Sequence, residues 1–187
     1  MPGWIYGSVT TMVRCMIATR HFCALALLLF ALPAGPALAE EQPQQIGVFE
    51  DWVAYSFQSS DGKVCYVSST PKLSEPQSAK RDPAFFLVTN MPGRKPPVKG
   101  EVSTIIGYPF KEGQPVKLSI DEKTFEMFSK GDTAWVDNGA DKKIVTAMKT
   151  GKELKVRGTS WRGTKTVDTY SLAGISAALA AIDDACK

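Results

Sequence analysis

A mainly β domain is what this sequence predicts: an antiparallel β-sandwich or barrel-like body closed by a short C-terminal α-helix. Three observations carry that prediction. About nine short runs of β-forming residues are separated by turn signals at roughly ten-residue intervals, the spacing of sandwiches and barrels. Within several runs apolar and polar residues alternate, as in Val116, Leu118 and Ile120 with Lys117 and Ser119 between them. After Gly174 the period changes, and Ile175, Leu179, Ile182 and Cys186 form one apolar stripe at helical spacing.

The chain opens on a segment set apart from this pattern. Arg14, Arg20 and His21 precede an apolar run from Phe22 to Leu32. Pro33, Gly35 and Pro36 break the run, and Ala37-Leu38-Ala39 obeys the small-x-small rule for cleavage. Residues 1–39 read as a secretory signal peptide, with translation starting at Met1, Met12 or Met16. The run is about half the length that a bilayer requires, so no transmembrane anchor is expected. The mature part, residues 40–187, has the length of one domain with its own core.

From Glu40 to Gln45 the chain is polar and reads as a lead-in. Val48–Phe57 reads as a first strand, Asp61-Gly62 as a hairpin turn, and Lys63–Ser68 as the returning strand with Cys65 in its middle. Pro71–Pro83 reads as a loop. Ala84–Thr89, apolar without a break, reads as a strand buried on both faces. Asn90–Pro97 is a second loop. Strands follow at Glu101–Gly107, Pro115–Ile120 and Phe125–Phe128, and after the turn Lys130-Gly131-Asp132 another spans Thr133–Val136. Asp141–Met148 reads as a short helix ended by Gly151. Leu154 and Val156 mark a strand running to Gly158, and Thr164–Leu172 is the last strand before the terminal helix. The aromatic residues Trp52, Tyr66, Phe85, Phe86, Tyr108, Trp135 and Tyr170 fall on apolar strand faces, where core packing is the expected role.

Loss of the leader changes the chemistry available. The one histidine, His21, and two of the four cysteines, Cys15 and Cys23, leave with it. Two of the 22 basic residues leave and none of the 19 acidic ones, so the formal charge falls from +3 to +1. Nothing in that balance points to nucleic acid. An imidazole-free chain assembles neither a Ser-His-Asp nor a Cys-His site, and zinc sites of the His/Cys type are excluded with them. Cys65 and Cys186 remain. In an oxidising compartment two cysteines usually pair, and a Cys65–Cys186 disulfide is expected, with intermolecular pairing as the alternative. It would close a loop of roughly 120 residues and stabilise the fold by up to about 4–5 kcal/mol in the chain-entropy model.

Several of these stretches resemble one family. They are Arg81–Thr89, Glu101–Phe110, Gly131–Trp135, Ala147–Lys152 and Arg162–Leu172, with the Arg-Gly-Thr…Asp-x-Tyr-Ser-Leu…Cys ending the most specific. Together, and in this order, they resemble the invasion-associated locus B proteins of alphaproteobacteria over nearly all of residues 40–187. The resemblance implies a β-rich protein that is periplasmic or surface-exposed, either outer-membrane associated or secreted, in a family named for a role in host-cell entry. It supplies no catalytic residues to carry over.

The remaining constellations have plainer roles. Asp183 and Asp184 point about 100° apart on a helix and make a poor acid/base pair. Asp132, Asp137, Asn138 and Asp141 surround a turn, but their spacing matches no EF-hand loop, and turn chemistry accounts for them. No catalytic residue, cofactor or metal is therefore assigned. Charge is uneven: Lys142, Lys143, Lys149, Lys152, Lys155, Arg157, Arg162 and Lys165 face only Asp141 and Glu153 between positions 141 and 165. Such a segment either guards a sheet edge or meets an anionic lipid, lipopolysaccharide or glycan. Trp161, Arg162 and Lys165 form the candidate contact surface. The expected function is an exported, non-enzymatic envelope protein that binds a protein, glycan or lipid partner and supports invasion or envelope integrity. Two rivals are a carboxylate-based envelope hydrolase and a periplasmic stress-protective factor, such as an inhibitor of host lysozyme.

Overall fold

The computed structural model describes residues 42–136 and 139–187. The expected leader, residues 1–39, lies outside them, as do Asp137 and Asn138 of the acidic turn. In chain order the elements are β1 (Gln44–Phe49), β2 (Trp52–Ser59), β3 (Gly62–Ser69), β4 (Leu73–Glu75), β5 (Phe85–Met91) and β6 (Val98–Ile105). They continue as β7 (Val116–Ile120), β8 (Lys123–Lys130), β9 (Thr133–Val136), α1 (Asp141–Thr150), β10 (Glu153–Thr159), β11 (Lys165–Ser171) and α2 (Ile175–Ala185). The mainly antiparallel body and short terminal helix read from the sequence are both present. All strands join one sheet in the order β1-β2-β3-β5-β6-β9-β8-β7-β10-β11-β4.

That sheet curls so that its two arms meet. The indole N–H of Trp52, at the start of β2, donates to the carbonyl of Ser171, at the end of β11, at 3.0 Å. Trp52, Phe86 and Tyr170, from β2, β5 and β11, are fully buried together. Phe86 lies 6.4 Å from Trp52 and 5.7 Å from Tyr170, centroid to centroid. Gly174 allows a close approach here: at φ +86 its missing Cβ would collide with the Phe49 carbonyl. The N-terminus of α2 is thereby seated on the β1–β2 turn. Ile175, Leu179 and Ile182 of the α2 stripe are buried, and Cys186, just past the helix, is bonded to Cys65 of β3 with the Cα atoms 6.0 Å apart. Cys65 is fully buried.

Some sequence expectations need correction. The single strand expected at Val48–Phe57 is two, and it starts earlier, inside the expected lead-in: β1 and β2 pair Phe49 with Trp52 across Glu50-Asp51. Glu50 takes a left-handed φ of 52 there, a conformation that glycine usually signals and that no Gly announced. Inside the expected loop Pro71–Pro83, Leu73–Glu75 adds a short edge strand on β11. β5 is buried on one face only: Phe86, Val88 and Asn90 point inward, whereas Phe85, Leu87 and Thr89 are half-exposed. Tyr66, Phe85, Tyr108 and Trp135 are likewise half-buried rather than core. Tyr55 and Tyr66 stack on the outer face at 5.2 Å, and Phe128 and Trp135 at 5.8 Å.

Candidate functional site

The antiparallel pairs place three loops at one end of the barrel-like body. They are residues 78–82 before β5, 107–109 after β6, and the β10–β11 turn. The turn is tied back on itself: Ser160 N–H donates to the Thr164 carbonyl at 2.9 Å, and Gly163 N–H to the Ser160 carbonyl at 2.7 Å. It is also tied sideways, because Trp161 N–H donates to the Pro109 carbonyl at 2.9 Å. Gly107, at φ +76, has no Cβ to strike the Asp82 carbonyl, and Asp82 N–H reaches the Gly107 carbonyl at 3.0 Å. Between these loops opens a cleft of about 740 Å³, lined by residues 78–82, 107–109, 160–162, Thr164 and Thr166.

Beneath the cleft lies a buried charge network. Asp168, fully buried on β11, receives Arg81 Nη1 on Oδ2 at 2.7 Å and the Ser74 hydroxyl on Oδ1 at 2.7 Å. Arg81 Nη2 also bonds Oδ1, completing a two-pronged pair. A further bond from Arg81 Nη1 to the Ile106 carbonyl, at 3.1 Å, anchors the loop before β5 to the end of β6. The guanidinium lies 5.9 Å from the centre of the Tyr108 ring. The hydrogen bonds that Arg81 donates to Asp168 hold its pKa above its ordinary value, against the opposing effect of burial. Burial pushes the Tyr108 phenol up, although the Thr166 hydroxyl bonded to it pulls the other way. Burial, and then the Asp168 charge, push Tyr170 up as well. Arg81 and Asp168 fall inside the stretches that carry the family resemblance, but the sequence assigned neither of them a role. The available signal was the inward register of β11, which sets an acidic residue between Thr166 and Tyr170 and demands a cationic partner.

Of the expected contact residues, Trp161 and Arg162 stand together at the cleft mouth. Trp161 is 58% exposed, and the Arg162 guanidinium lies 4.8 Å from its ring centre. Lys165 is exposed at the start of β11 but does not line the cleft. The other cationic residues of positions 141–165 do not form one face. Lys155 pairs with Glu153 at 2.5 Å, Arg157 donates to the Ser119 hydroxyl at 2.8 Å, and Lys142 and Lys149 sit on α1 near the opposite end of the sheet.

The expected acidic constellations resolve into structural bonds. Asp183 accepts from the Asn90 amide at 2.9 Å and pairs with Lys99 at 3.4 Å, while Asp184 pairs with Lys187 at 2.6 Å. Asp132 accepts from Thr133 at 2.9 Å, and Asp141 accepts the backbone N–H of Val102 at 2.8 Å. Among the described residues no group of three or more His, Cys, Asp or Glu side chains is placed to hold a metal ion. Nor is any described helix long and apolar enough to cross a membrane.

No curated protein matches the chain. Among solved structures, the crystal structure of invasion associated protein b from Bartonella henselae is similar, with a TM-score of 0.53 and 19% identity. The match covers 76% of this chain and 97% of that one, and at this identity it establishes the shared fold alone. A family model matches residues 52–183, from the first residue of β2 almost to the end of α2, and the chain belongs to the invasion associated locus B (IalB) protein family.

Proposed function

We propose that this chain is an exported, non-enzymatic envelope protein that uses the cleft at Trp161 to bind an anionic saccharide of a cell surface. On this reading residues 1–39 are the cleaved export signal. Cys65 and Cys186 at disulfide distance fit an oxidising compartment, periplasmic or outside the cell. The observation that carries the reading is the half-free indole of Trp161 beside Arg162 at the rim of a polar cleft. A flat indole stacks on the apolar face of a sugar ring, and the neighbouring cations answer sulfate, phosphate or carboxylate groups. Lys80 and Arg162 supply that charge, with Asp82 the counter-charge in the lining.

The same geometry weighs against the hydrolase reading. Acid/base hydrolysis needs two carboxyl groups facing a bound substrate. Asp168 is fully buried and engaged by Arg81 and Ser74, which leaves Asp82 as the carboxylate lining the cleft. An exported binder of surface saccharides is consistent with a family named for invasion, and the partner is what the binding experiment must identify. Immobilised heparin and immobilised lipopolysaccharide separate a sulfated host glycan from a phosphorylated envelope glycan. Wild-type protein is expected to bind one of them. Trp161→Ala, and separately Lys80→Ala with Arg162→Ala, should weaken that binding at least ten-fold. Unchanged binding in both variants, or binding to neither surface, overturns the proposal.

A further inference from the structure

A second cleft lies at the other end of β5 and β6. Residues 78–82 and 107–109 flank the start of β5 and the end of β6, whereas Asn90, Lys99 and Gly100 occupy the opposite ends. Seven residues of strand at about 3.3 Å each separate the two ends of β5 by roughly 20 Å. There, α1 and α2 lie side by side, joined by a bond from the Ser176 hydroxyl to the Lys149 carbonyl at 3.4 Å. Between them runs a groove of about 520 Å³, within the range of small-molecule sites, roughly 300–1,000 Å³.

The two helices divide its chemistry. Lys142, Val145, Thr146 and Lys149 follow one another at i, i+3, i+4 and i+7 along a single face of α1. Leu179, only 4% exposed, comes from α2 and forms the floor with Val145. Gly100, at φ +72, borders the floor, where a Cβ would sit in ordinary contact with Val145 Cγ2 at 3.7 Å. Three lysines, Lys99, Lys142 and Lys149, surround this apolar floor against one carboxylate, Asp183. Asp183 is already held by Lys99 and the Asn90 amide, and no carboxylate among the described residues pairs with Lys142 or Lys149. Apolar side chains below and two uncommitted ammonium groups above are complementary to a ligand that is apolar at one end and anionic at the other.

We propose that the groove between α1 and α2 is a second binding site, taking one molecule of an anionic amphiphile: a single alkyl chain ending in a phosphate group. The chain lies over Val145 and Leu179, and the phosphate is held by Lys142 and Lys149. The site is independent of the Trp161 cleft and does not rest on the saccharide reading.

Calorimetric titration of the oxidised protein tests it, with decyl phosphate below its micelle concentration as the probe. Decyl phosphate should bind saturably at one per chain, and inorganic phosphate and decanol at least ten-fold more weakly, because each offers only half of the complementarity. Lys142→Ala with Lys149→Ala should weaken decyl phosphate at least ten-fold, and Lys142→Arg with Lys149→Arg should restore it. Both positions are exposed on α1, and alanine is a strong helix former, so the fold is retained. Arg162→Ala should leave this titration unchanged, which separates failure here from failure at the Trp161 cleft. Absence of saturable binding, equal binding of inorganic phosphate, or indifference to the double alanine variant overturns the proposal. So does binding to anionic vesicles alone, which would place the lysines on a membrane surface rather than around a ligand.

Discussion

At the scale of single residues, the Arg81–Asp168 pair decides the most. Removing one partner of a buried ion pair strands the other charge, at a cost of about 3–5 kcal/mol, whereas replacing both with apolar groups is far milder. Urea unfolding should therefore show Asp168→Asn destabilised by roughly that amount. The double variant Arg81→Met with Asp168→Leu should lose less; a double variant worse than the single one would contradict the stranded-charge argument. Glu101 works the other way. Burial raises its pKa above 4.5, with Arg94 pulling it down and Asp141 adding to the rise. A raised carboxyl favours the fold when protonated, so the ionised side chain costs stability once pH climbs through the folded pKa. Glu101→Gln should raise the melting temperature at pH 7 and lose that advantage below the ordinary carboxyl range; an equal effect at both pH values would contradict it. The sequence marked Trp161 and Arg162 because an exposed-looking aromatic beside cations stands out by composition. It did not pair Arg81 with Asp168, because partnership across 87 residues of chain is a property of strand register, not of local pattern.

At the scale of elements, the alternating and helical periods were legible and the exceptions have physical causes. β7 alternates as read, and the α2 stripe is buried as its spacing requires. The β1–β2 turn was missed because Glu50 adopts a left-handed conformation without glycine, and β4 because its three residues gain strand geometry only from pairing with β11. The double-sided burial expected of β5 failed because apolar residues on an outer sheet face look the same in sequence as core residues. α2 depends on two fixtures, the Gly174 seat on the β1–β2 turn and the covalent link from Cys186 to β3. Residues 65 and 186 are 121 apart in sequence, and a link of that span stabilises by about 4–5 kcal/mol at most in the chain-entropy model. Cys65→Ala with Cys186→Ala should lower unfolding free energy toward that limit, and hydrogen exchange should speed first in α2. Unchanged stability would mean that the link constrains nothing the packing does not already hold.

At the scale of the whole molecule, the antiparallel strands carry two concave sites to opposite ends of one curled sheet. The first was partly readable: its rim residues are local to the β10–β11 turn, but its floor is assembled from residues far apart in sequence. The second was not readable, because a lysine run on a helix says nothing of the apolar groove that a neighbouring helix makes beside it. All of the functional reading rests on an anionic saccharide occupying the Trp161 cleft. Its most direct test is a nitrogen-15 NMR titration of the oxidised protein with a sulfated heparin oligosaccharide and, separately, a phosphorylated lipopolysaccharide core. One of them should shift the Trp161 indole signal together with the amides of residues 78–82, 107–108 and 160–166, and leave α1 and α2 still. Shifts confined to other surfaces, or none with either saccharide, would contradict it.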